Sequence, residues 1–225
     1  SGPWEGSCAD CGFPSSSSSE NPPGFYACVQ SKSDPAAVSC IDYALFNKET
    51  QVLTLGPFLE RLGPRLDADV IDVISRFAGF TKEWIPASTT PHTVVHMDYR
   101  PDNFLFAVEP DSPPLVVVDW QTIGFALGTN DLAYMIGGSF EAEERRAVEG
   151  RLVEQYRQQL AEHGVQYDAD TCWTDYRLGS LWGVVMSILA AMMAEQTERG
   201  DLMLFTMLRR HAQHALDLDA LSLLR

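Results

Sequence analysis

Two stretches carry a chemically suggestive pattern: His96-Met97-Asp98-Tyr99-Arg100-Pro101-Asp102-Asn103 and, sixteen residues further on, Asp119-Trp120-Gln121. An Asp is followed five residues later by an Asn, and a second Asp closes the apolar run Leu115-Val116-Val117-Val118. Phosphoryl transfer from ATP uses such a set. One carboxylate faces the attacking hydroxyl, while an amide oxygen and a second carboxylate hold the metal ions that bridge the phosphates. Asp98 is the candidate for the first role, accepting or orienting the proton of the acceptor hydroxyl. Asn103 and Asp119 are the candidate ligands of a hard ion such as Mg2+. An amide there adds an oxygen without adding negative charge beside a polyphosphate. Taken singly, Asp98 could cap a loop, Asn103 could form a turn and Asp119 could cap a helix. Their joint spacing carries the catalytic reading.

Other residues near the set have plainer candidate roles. Arg100 could reach the transferring phosphate and neutralise developing charge, or stand solvated. His96 is expected to brace the loop and orient Asp98, and Asp131 to accept backbone amides of that loop rather than bind metal. Trp120 and Gln121 are expected to pack below Asp119. His211 and His214 stand at i, i+3 on a helix and read as a solvated polar face. His96-x-Asp98 also matches two ligands of a facial metal triad. The remaining candidates for a third ligand, His163, His211 and His214, fall in or beside predicted helices, and that reading leaves Asn103 and Asp119 unused.

The elements that must position these residues follow from periodicity. Residues 1–56 hold a Ser15–Ser19 run, Pro22-Pro23-Gly24 and scattered cysteines without sustained period, so they read as an irregular, flexible extension or truncation scar. A short helix or strand is expected near Cys40–Phe46. Regular structure is expected from Gly56-Pro57, with a short helix over Pro57–Arg61 and a longer one from about Asp67 to Ile85. Thr93-Val94-Val95 leads into the His96 loop as a short strand. Phe104-Leu105-Phe106 and Leu115–Val118 flank the turn-rich stretch Glu109 to Pro114 and predict an antiparallel hairpin. That hairpin would bring Asn103 and Asp119 to one edge. Asp131–Ile136 predicts a short helix ended by Gly137-Gly138, with Ser139 capping the next. Val148, Leu152, Tyr156 and Leu160 predict that helix's buried face, and two more helices close the chain.

Composition limits the partners. A net charge of -15 over 225 residues argues against nonspecific nucleic-acid binding. The five cysteines, an odd count with Cys8, Cys11, Cys28 and Cys40 crowded early, do not read as a secreted disulfide framework. A four-thiolate zinc site is disfavoured by the spacing of the second pair. No basic-then-apolar signal-peptide pattern is expected in the first residues, and Leu178–Ala194, broken by glycines and serines, reads as a core helix. The expected compartment is the cytoplasm, with no membrane partner.

His96 to Asn103 resembles the catalytic loop shared by protein kinases and the aminoglycoside phosphotransferase superfamily. Val118-Asp119-Trp120-Gln121 and Asn130-Asp131-Leu132-Ala133-Tyr134 are similar to its small-molecule branch, which includes choline, ecdysteroid and CHK-type kinase-like proteins. The resemblance implies an α+β, protein-kinase-like fold: a mostly helical C-lobe over 57–222 with a small antiparallel catalytic hairpin. It implies Asp98 as catalytic base, Asn103 and Asp119 as magnesium ligands, ATP as phosphoryl donor and a small-molecule hydroxyl as acceptor. Met97 stands where small-molecule members usually carry Gly. A protein kinase is disfavoured, because Trp-Gln rather than Phe-Gly follows Asp119 and no Ala-Pro-Glu closes an activation segment.

The nucleotide-gripping half is expected to be largely missing. No Gly-rich phosphate loop occurs, and the three lysines, Lys32, Lys48 and Lys82, sit in no Val-Ala-Ile-Lys-like strand. Weak or absent ATP turnover by the isolated chain is therefore expected. The alternative function is a non-catalytic kinase-like remnant serving as a binding or scaffold module.

Overall fold

Val70, Val73, Ile74 and Phe77 recur at helical spacing, and they form the buried stripe of a helix over Ala68–Ala78. The structure, a computed structural model, describes residues 26–30, 38–42, 48–80, 83–84, 87, 93–109, 111–193 and 197–224. Cys8, Cys11, the Ser15–Ser19 run, Lys32 and Lys82 lie outside the described residues.

Two strands, β1 (Tyr26–Gln30) and β2 (Val38–Asp42), pair antiparallel with Cys28 opposite Cys40. Helix α1 (Lys48–Leu62) follows and buries Phe58 and Leu62. It begins well before the expected onset at Gly56-Pro57 and carries Pro57 in its interior. The Ala68–Ala78 helix, α2, ends earlier than expected from its apolar pattern, because the amide of Gly79 turns back onto the carbonyls of Arg76 and Phe77. Trp84 is buried all the same and donates its indole N–H to the carbonyl of Leu178 at 3.0 Å.

Two short ribbons position the loop. β3 (Thr93–Val95) pairs antiparallel with β6 (Gly124–Ala126), a strand the Gly-rich sequence there had not suggested. β4 (Phe104–Phe106) and β5 (Leu115–Val117) form the expected hairpin, with Phe104 opposite Val117. β1 lies beside β6 and the 3-10 turn Trp120–Thr122.

The rest is helical: α3 (Gly128–Ser139), α4 (Ala142–Glu162), α5 (Ala169–Met193) and α6 (Glu198–Asp217). The core lies where α5 meets α3, α6 and α1, around Leu181, Trp182, Leu204 and Leu208. Mostly helical with small antiparallel sheets, the architecture is α+β. Among the described residues no helix is long and apolar enough to cross a membrane.

Three expectations about these helices are corrected. α3 runs through Gly137-Gly138 instead of stopping there. The reason is packing: a Cβ on Gly137 would lie 2.6 Å from Nδ1 of His214 and 2.8 Å from Nδ1 of His211. Ser139 is the last residue of α3 and donates its hydroxyl to the carbonyl of Met135, so it does not cap α4. On α4 the deeply buried positions are Arg145, Glu149 and Val153 rather than Val148, Leu152, Tyr156 and Leu160, which stand at the edge of the interface.

His211 and His214, expected to be solvated, are buried. The Nε2 of His214 lies 2.9 Å from the Tyr176 hydroxyl and 3.3 Å from Glu149. Arg145 donates to Glu149 at 2.7 Å and also to Asp217. The ion pair turns the polar side of α4 inward, since a buried charge needs a partner. His211 stacks on the ring of Tyr134 with centroids 5.0 Å apart.

Candidate active site

β3 delivers the chain into the loop at His96, and α3 holds the loop from below. Asp131, in the first turn of α3, accepts the amides of His96 at 2.6 Å and Met97 at 2.8 Å, one on each carboxylate oxygen. Burial pushes the Asp131 carboxyl above its ordinary range, and those two amides pull it back. Met97 is buried and left-handed at φ 67°, the region that favours glycine. Its carbonyl accepts the indole N–H of Trp182 at 3.0 Å.

His96 ties the loop to the hairpin. Its Nε2 donates to the carbonyl of Val118 at 2.9 Å, and its Nδ1 faces the amide N–H of Asp98 at 3.3 Å. That pattern calls for the neutral ring with its proton on Nε2. The His96 carbonyl accepts the Thr122 hydroxyl at 2.8 Å, and its ring rests against Trp120 at 4.8 Å. With both nitrogens engaged, His96 has none to offer a facial metal triad.

Asp98 is fixed on both oxygens. Oδ2 accepts from the Asn103 amide at 3.1 Å, while Oδ1 accepts the Tyr134 hydroxyl at 3.2 Å and lies 3.3 Å from Nε of Arg100. Burial, with the negative charge of Asp98 second, pushes the Tyr134 phenol far above its usual range, so it stays a donor.

The Asn103 amide also donates to the Asp98 carbonyl at 2.8 Å, which leaves Oδ1 as its free oxygen. The amide of Val118 donates to the carbonyl of Asn103 at 2.9 Å, so Asp119 follows directly on the same edge. Asp119 is exposed, left-handed at φ 65°, and without an ion pair among the described residues. An amide oxygen and an unpaired carboxylate at one edge are hard donors that fit Mg2+, which takes one or two protein ligands and fills its shell with water and phosphate oxygens.

The structure thus gathers Asp98, Arg100, Asn103, His96 and Asp131 into one set of contacts and sets Asp119 beside Asn103. Two residues in the set have no sequence-based role: Tyr134 and Trp182. Tyr134 was legible in principle, since it stands three residues after Asp131 on one helix face. Trp182 carries no local signal. A cavity of about 640 Å³ opens beside the loop between Arg100, Asp102, Tyr134 and the outer face of α6.

The fold and this edge define a mostly helical α+β domain with a carboxylate-and-amide centre at the mouth of a hairpin. The profile of the phosphotransferase enzyme family (APH) matches residues 46–197, about two thirds of the chain, and the chain belongs to that family. No curated protein and no solved structure matches it.

Proposed function

We propose that the chain carries the catalytic side of an ATP-dependent phosphotransferase acting on a hydroxyl of a small molecule, with a kinase-like C-lobe over 57–222. The observation that supports this reading best is the double use of Asn103. Its nitrogen orients Asp98 while its oxygen is left for a cation, so one residue couples the acceptor side of the reaction to the phosphate side.

Asp98 takes the acceptor hydroxyl as a hydrogen bond and receives its proton as the oxygen attacks the terminal phosphorus of ATP, while the bond from that phosphorus to the β–γ bridging oxygen breaks and ADP leaves. Tyr134 keeps that carboxylate aimed, and Arg100 offsets the charge that develops on the transferring group. Asn103 Oδ1 and Asp119 would hold Mg2+, which supplies charge neutralisation of the phosphate oxygens. His96 and Asp131 keep the loop rigid through Val118 and the loop amides.

ADP release from Mg-ATP, measured across hydroxylated metabolites and aminoglycosides, tests the reading. Slow turnover with at least one acceptor, lowered about a hundredfold or more by Asp98→Asn, is the expected result. Absence of ADP with every acceptor favours the alternative, a non-catalytic binding module. That alternative is motivated by the lack of a Gly-rich phosphate loop and of a Val-Ala-Ile-Lys-like lysine in the 225 residues.

A further inference from the structure

The chain carries 16 Lys and Arg against 31 Asp and Glu, yet the cavity beside the loop reverses that balance. Arg100, Arg199 and Arg210 line it, with Asp102 the one carboxylate among its described lining residues, while Asp98 pairs with Arg100 and Glu141 with Arg210. Arg199, in the first turn of α6, has no ion-pair partner among the described residues. Arg210 is held by the Gly138 carbonyl at 2.9 Å and by Glu141, and its buried Nε has no acceptor among the described residues. The positive end of the α6 dipole opens onto the same space. The cavity is also greasy: Leu202 and Met203 are 64% and 49% exposed on its wall, with Met207 beside them. Large exposed apolar side chains lining a concave site of about 640 Å³ are surface that a ligand covers.

We propose that the acceptor of this phosphotransferase is an anionic alcohol: an apolar body bearing a hydroxyl at one end and a carboxylate or phosphate at the other. The inference rests on the phosphotransferase reading for the role of its hydroxyl, and on the cavity alone for its charge. Arg199 and Arg210 take the anion, Leu202, Met203 and Met207 cover the apolar body, and the hydroxyl reaches Asp98 past Tyr134. A cationic acceptor meets Arg199, the guanidinium group of the three without a carboxylate partner among the described residues, beside the positive end of the α6 dipole, and binds less favourably than an anion.

Isothermal titration of the full chain, without nucleotide, separates charge from chemistry. The probes are ω-hydroxyoctanoate, ω-hydroxyoctyl phosphate, ω-hydroxyoctanamide and ω-aminooctanol, which share a chain length and differ in the terminal group. One or both anions bind at least about tenfold more tightly than the amide, and the amine more weakly still. The relative strength of the two anions shows whether carboxylate or phosphate is the natural group. Arg199→Glu lowers anion affinity about tenfold or more, and Arg199→Lys keeps most of it. Equal or tighter binding of the amine, no binding of either anion, or unchanged anion affinity in Arg199→Glu overturns the proposal. Adding Mg-ATP distinguishes the two readings. Anions that bind without ever yielding ADP leave the charge assignment standing and count against phosphotransfer. ADP formed from the amine does the reverse.

Discussion

The hydroxyl of Tyr134 donates to Oδ1 of Asp98 at 3.2 Å, while the ring of the same tyrosine stacks on His211. A side chain on α3 thus links the candidate base to the buried face of α6. Tyr134→Phe keeps the stack and removes the bond. A hydrogen bond to a charged group is worth about 1.5–3 kcal/mol, so kcat with a working acceptor falls about tenfold or more and the melting temperature falls by several degrees, with the fold retained. Steady-state kinetics beside a thermal melt checks this, and an unchanged kcat would remove Tyr134 from the site.

Asp131 bridges two amides with two oxygens, and an amide side chain cannot. Asp131→Asn turns its NH2 group toward one of the two N–H donors of His96 and Met97. The unpaired buried donor costs about 1–3 kcal/mol in urea unfolding, and the loop amides of His96 and Met97 lose protection in hydrogen exchange. Stability and exchange equal to the parent's would refute the bracing role.

Met97 holds a left-handed backbone at φ 67° with its side chain in the core. Met97→Gly relieves about 1–2 kcal/mol of strain but gives up a buried side chain worth about 2–5 kcal/mol. The net result is a loss of about 1–3 kcal/mol by chemical denaturation. A gain in stability would mean that strain, not packing, dominates this position.

Burial pulls His211 down to about 3, and it pulls His214 down as well, against the opposing carboxylate of Glu149. Both rings are neutral when folded and take up protons on unfolding below their ordinary value of 6.5. A folded value below the unfolded one means the contribution is whole above pH 6.5 and drains as pH falls toward the folded values. Unfolding free energy measured from pH 7 to 4 therefore declines, by up to about 1.4 kcal/mol per pH unit for each ring titrating. His211→Gln shows a shallower decline than the parent; equal slopes would contradict the assignment.

The candidate loop His96–Asn103, the β4–β5 hairpin and the apolar stripe of α2 were legible because each is local: a motif, a turn between two short strands, a helical period. What escaped was set by distant partners. β6 is a strand because β3 pairs with it, and nothing in Gly124–Ala126 announces that. Gly137-Gly138 has the look of a helix stop, but its bareness makes room for histidines more than seventy residues away. His211 and His214 resemble a solvated face until Arg145 and Glu149, on another helix, turn that face into an interior. The Asn103–Asp119 edge followed from hairpin register, whereas Tyr134 and Trp182 meet the loop only through tertiary packing.

On the proposed reading, Asn103 and Asp119 would present a magnesium-bound phosphate to Asp98. Isothermal titration of Mg-ATP into the full chain and into Asp119→Ala tests it most directly. Binding that requires Mg2+ and weakens about tenfold or more in Asp119→Ala is the expected result. Absence of binding, or binding indifferent to both Mg2+ and Asp119, would contradict it.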